Sequence, residues 1–177
     1  MLTYTKFMSD FKGFKPLLAK SLPKKGSKDY SEQARGAAKY TGHISLVMQA
    51  ADVIVELLGE QILKQLGLTN VDLKYFAKTV KLGAYLHDWG KANQHFQEML
   101  YWKSLDLQSK EPKVVNFKKV LKELAQTHSD RQMLRHEIIS GILALQVASF
   151  RAWLEECKNV DLVAAVWAAM GHHLKTG

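Results

Sequence analysis

Apolar residues in this chain recur three and four positions apart, and every such stripe is interrupted by histidine. On the first, His43 lines up with Val47, Ala50, Ile54 and Leu57. On the second, Leu73, Phe76, Val80 and Ala84 lead to His87 and Asp88. On the third, His136 precedes Ile139, Leu143, Val147, Phe150 and Leu154. On the fourth, Leu162, Val166 and Ala169 run on to His172 and His173. This period is that of amphipathic helices. It predicts helices over about 32–66, 72–89, 131–157 and 160–170, with a break in the first near Gly42 or Gly59. Shorter helices are expected at about 93–101 and 115–126, with a loop over 101–114. None of the three prolines falls inside a long periodic segment. Sustained alternation and Asn-Gly or Asp-Gly turns are absent, so the fold class is all-α.

Histidines on core-facing stripes need partners. A buried polar group left unpaired costs roughly 1–3 kcal/mol, and an unpaired carboxylate costs more. One such histidine is ordinarily a hydrogen-bonded core residue. Imidazoles and an aspartate aimed inward from four helices are better satisfied together, by a cation. Neutral imidazole and carboxylate are ligands for divalent transition metals. The imidazole-rich set favours manganese, iron, cobalt, nickel or zinc over magnesium, which prefers oxygen. Six groups exceed the needs of one tetrahedral ion, and a carboxylate can bridge two. A bridged pair of ions is a common device for phosphodiester hydrolysis: one generates hydroxide near neutral pH and both stabilise charge on the phosphorus oxygens.

Charge and composition narrow the partners. The chain has 177 residues, 47% of them hydrophobic, which is enough for a core and excludes global disorder. Its net charge of +8 suggests a polyanionic partner. Residues 1–40 hold nine Lys or Arg against three acids, so residues 1–30 are expected to form a basic arm ahead of a domain over 31–177. The single cysteine, Cys157, excludes an intramolecular disulfide and fits a cytoplasmic compartment. The longest uncharged run, Ile138 to Phe150, has 13 residues, too short for a membrane span.

The segment Leu86-His-Asp-Trp-Gly-Lys-Ala92 resembles the signature of the HD superfamily of metal-dependent phosphohydrolases. The wider order is Gly42-His43, then His87-Asp88 through Asn93 with Phe96-Gln97, then Arg135-His136-Glu137, then Gly171-His172-His173. It resembles the HD nucleases of type I CRISPR interference systems. These are found in the helicase-nuclease, as separate subunits, or at the N-terminus of the type I-D large effector subunit. The resemblance covers roughly residues 38–175 and implies a helical bundle with a buried His/Asp metal site. His43, His87 and Asp88 would bind a first ion; Asp88 would bridge; His136, His172 and His173 would complete a second. Lys91 would face the scissile phosphate.

The implied activity is metal-dependent hydrolysis of single-stranded DNA, endonucleolytic and then exonucleolytic. The implied partners are a guide-RNA effector complex and a helicase subunit or domain, with no membrane involved. The alternatives are an HD hydrolase of nucleotides or cyclic nucleotides, and a docking module without catalysis. One departure weakens the first site: the family usually supplies a further downstream aspartate, and here no Asp or Glu follows Asp161. The chain is therefore expected to be a fragment of a longer protein or a variant lacking that ligand. His95, His128, Arg135 and Glu137 read as surface residues, the last two as an ion pair. Trp89, Tyr101 and Trp102 read as packing more than as base-stacking platforms.

Overall fold

A computed structural model describes residues 17–23, 26–93, 96–97, 100 and 135–173. Among these residues the regular structure includes six bounded α-helices and one 3₁₀ turn: α1 (Glu32–Ala38), α2 (Tyr40–Gln65), α3 (Leu73–Leu86), the turn Trp89–Ala92, α4 (His136–Gln146), α5 (Ala148–Glu156) and α6 (Leu162–Gly171); residues 96, 97 and 100, inside the expected helix at 93–101, are helical too. The all-α expectation holds. The expected loop at 101–114, the helix at 115–126, and His95, Tyr101, Trp102 and His128 lie outside the described residues, as does most of the expected basic arm.

Short polar side chains start three of the helices. Ser31 accepts from the Ala34 N–H, Asp72 from the Tyr75 N–H and Asp161 from the Ala164 N–H, each satisfying a backbone donor with no partner inside its helix. Thr79 in α3 accepts from the Asp161 N–H at 2.9 Å, which ties the start of α6 to α3. The core lies between α3, α4, α5 and α6, where Leu82, Leu86, Ala144, Leu154, Ala165, Val166 and Ala169 are buried together. Gly83 lets α3 approach α6 closely: a Cβ there would lie 3.3 Å from the Ala165 carbonyl oxygen.

Three expectations are corrected. The first helix breaks at Lys39, not at Gly42 or Gly59. Lys39 is extended and pairs with Leu18 in an isolated antiparallel bridge; Ala19 N–H donates to Ala38 O and Tyr40 N–H to Leu17 O. A tertiary partner thus takes the backbone groups that would continue the helix. Gly42 serves close packing on the backbone of Gly36. The expected helix over 131–157 is two helices where it is described, bent by 78° at Val147. The bend brings Leu154 into the core and stacks Phe150 and Trp153 on Trp89.

The inward face of α2 is also out of phase with the sequence pattern. Ile44, Ala51, Val55, Gly59 and Leu63 are buried, whereas Ile54 and Leu57 are 50% and 74% exposed. No single helix among the described residues is long and apolar enough to cross a membrane.

Candidate metal centre

The centre is built where α3 ends. His87 is its C-cap, Asp88 turns the chain, and the 3₁₀ turn follows. That turn is fastened to α4 by Ser140, whose side chain is buried. Ser140 Oγ accepts from the Gly90 N–H at 2.8 Å, and its own hydrogen is shared between the carbonyls of His87 and His136, each 3.0 Å away. The motif carrying Asp88 is thereby locked to the residue that opens α4, which is His136. Gln97 adds a second tie. Its side-chain amide donates to Leu18 O and Lys91 O and accepts from the Leu18 N–H, all at 2.7 Å.

Asp88 is fully buried, and its two oxygens face different partners. Oδ2 lies 3.0 Å from His43 Nε2, 3.2 Å from His87 Nε2 and 2.6 Å from Lys91 Nζ. Oδ1 lies 3.2 Å from His136 Nε2 and 3.7 Å from His172 Nε2. His173 meets the His136 ring edge-on and the His172 ring at a tilt, with ring centroids 4.9 and 4.2 Å away. The ligand atoms of His43, His87 and Asp88 lie within 4.8 Å of one another, and so do those of His136, His172 and His173. His43, His87, Lys91, His136 and His172 therefore fall around one carboxylate; His173 lies beside His136 and His172, and His172 and His173 are exposed as whole residues.

The hydrogen positions follow from the backbone. His87 Nδ1 is 2.6 Å from Ala84 O, and His172 Nδ1 is 2.6 Å from Ala169 O. A carbonyl only accepts, so in both rings Nδ1 carries a hydrogen and Nε2 is the atom turned toward Asp88. Burial lowers the pKa of His43 and His172 and favours their neutral, ligating forms. Burial opposes the charged form of Asp88, but His136, His87 and Lys91 outweigh it and hold the carboxyl far below the usual carboxylate range.

The residues fit a cation. Asp88 Oδ1 and His136 Nε2 are both buried, lie 3.2 Å apart, and have no hydrogen-bond partner among the described residues. Two buried polar atoms at that separation without a well-formed hydrogen bond are costly unless a proton or a metal lies between them. A shell of imidazoles with one carboxylate suits the borderline transition metals. His43, His87 and Asp88 could hold one ion, and His136, His172 and His173 a second.

Ser140, Gln97 and Glu137 were not singled out for these places. Glu137 does pair with Arg135, at 2.5 Å, but its carboxylate is 3% exposed, so the expected surface pair is half buried. Burial raises the Glu137 pKa, and the hydrogen bonds of its own backbone and of Arg135 bring it below normal. The one sequence hint for Ser140 is a hydroxyl set inside an apolar run.

A helical bundle whose interior opens onto one carboxylate ringed by imidazoles defines the HD class of domain. The chain belongs to the family described as Cas3, HD domain, which it matches over residues 28–176. Over 145 residues it is 30% identical to a protein of Myxococcus xanthus (strain DK1622) named, provisionally, as CRISPR-associated nuclease/helicase Cas3. That similarity covers 81% of this chain but 16% of the relative, so the chain spans a small part of that protein's length. No solved structure matches.

Proposed function

We propose that this domain is a metal-dependent nuclease that hydrolyses phosphodiester bonds of single-stranded DNA in CRISPR interference. The observation that carries the reading is the division of Asp88: one oxygen faces His43 and His87, the other His136 and His172. Divalent transition ions seated there would supply a hydroxide nucleophile near neutral pH and neutralise charge on the phosphate. The protein's part is to hold six groups in place. Ala84 O and Ala169 O fix the rings of His87 and His172, as backbone carbonyls commonly do for metal-bound histidines. Lys91, on the turn after Asp88, would meet the negative charge that develops on the phosphate.

Single-stranded DNA as substrate is supported by the Cas3 HD membership, the name of the relative and the +8 charge. The test is cleavage of a labelled single strand by the purified chain with manganese, cobalt or nickel. Cutting should appear with metal, vanish with EDTA and be lost in Asp88→Ala. Undiminished cutting by Asp88→Ala would end the reading. Competition by free nucleotides at the same concentrations as the oligonucleotide would turn it toward a nucleotide hydrolase.

A further inference from the structure

The two ligand groups do not account for Lys91. Its ammonium lies 2.6 Å from Asp88 Oδ2, closer than either imidazole that faces that oxygen. Its side chain is 13% exposed and that of Asp88 0%, so water screens the pair poorly. The tether is short, because the Lys91 N–H also donates to Asp88 O at 2.8 Å. A dication held by His43, His87 and Oδ2 would lie about 2.0–2.2 Å from each donor atom. That brings it onto the oxygen that the ammonium already occupies, and two cations on one poorly hydrated oxygen repel strongly.

Building on the assignment of His43, His87 and Asp88 as ligands, we infer that Lys91 is an exchangeable counter-cation, seated on Asp88 Oδ2 without metal and displaced when the first ion enters. Nearby, the Phe96 ring has its centroid 5.8 Å from Lys91 Nζ and offers the released ammonium a face that attracts cations. Displacement makes the lysine available to phosphate only in metal-loaded protein. The coupling is reciprocal: the lysine weakens the first ion as much as the ion loosens the lysine.

The test is calorimetric titration of manganese into the metal-free chain, for the parent and for Lys91→Gln. Removing the charge should tighten one site by about ten- to a hundredfold, the ordinary span of such coupling. The other site should change little. Equal or weaker binding by Lys91→Gln overturns the inference. A second measurement needs no variant: amine-directed labelling of the parent, read at Lys91 by peptide mass spectrometry, with and without saturating manganese. Labelling should rise several-fold with metal, and unchanged or lower labelling overturns the inference. A parent that binds no manganese refutes the metal-centre reading itself and this inference with it. A parent that binds but is insensitive to Lys91 refutes the inference alone.

Discussion

Gly90→Ala should damage both the fold and the site. A methyl on Gly90 would run into the carbonyl oxygen of His136 and would stand 2.8 Å from the His136 carbonyl carbon and 2.9 Å from Ile139 Cβ. The carbonyl oxygen is the tightest of the three contacts, so the turn and the start of α4 must separate by more than about 1 Å. Backbone faces backbone there, and no side chain can swing aside. Overpacking costs about 1–3 kcal/mol, and this geometry belongs at the upper end. For a domain of this size each kcal/mol lowers the melting temperature by about 2–4 °C, so a loss of about 6–12 °C is expected. His136 moves with the backbone, and a misplacement of about 1 Å can cost a hundredfold in rate. The assay is thermal unfolding by circular dichroism, beside DNA cleavage with manganese. Gly36→Ala is the control, because a Cβ there meets nothing within 4 Å. It should be neutral or up to about 1 kcal/mol stabilising. If Gly90→Ala melts within about 2 °C of the parent, the close docking of the turn on α4 is wrong.

Ser140→Ala removes the acceptor of the buried Gly90 N–H and should cost about 1–3 kcal/mol, read as a lower denaturant midpoint. Gln97→Leu leaves the Leu18 N–H and the carbonyls of Leu18 and Lys91 without their amide partner; hydrogen exchange at Leu18 should accelerate and stability should fall by about 2 kcal/mol or more. Tyr40 supplies a pH test, because burial first and the charge of Asp88 second raise its phenol pKa above the usual 10. A raised pKa means the folded state holds the proton more tightly. The stabilisation is therefore full below about pH 10 and is lost as pH rises past the unfolded value. The stability of the parent relative to Tyr40→Phe should stay constant from pH 8 to 9.5 and fall above about pH 10 in urea titrations; an unchanged relative stability at pH 11 would contradict it.

The candidate site was legible because its residue types carry their chemistry: imidazoles recurring on four apolar stripes, with one aspartate among them, are better satisfied together than apart. Helix existence was legible from the apolar period. Helix phase was not, and α2 shows why. Leu46, Val53, Ile54, Leu57 and Leu58 are all at least 48% exposed. With apolar residues on nearly every side, the three-and-four pattern fits more than one face. The bend at Val147 has no glycine or proline to announce it and is set by the docking of Leu154 and the stacking on Trp89. Ser140 and Gln97 reach partners 50 and 79 residues away, which no local pattern records. Convergence itself belongs to the fold, since spacing along the chain does not say which stripes face each other.

The most direct measurement of the central claim is the anomalous scattering of manganese in crystals of the chain grown with that ion. Density is expected against both carboxylate oxygens of Asp88, one peak within ligand distance of His43 and His87, the other within ligand distance of His136, His172 and His173. Manganese bound elsewhere, or an ordered site with no peak beside Asp88, would contradict it.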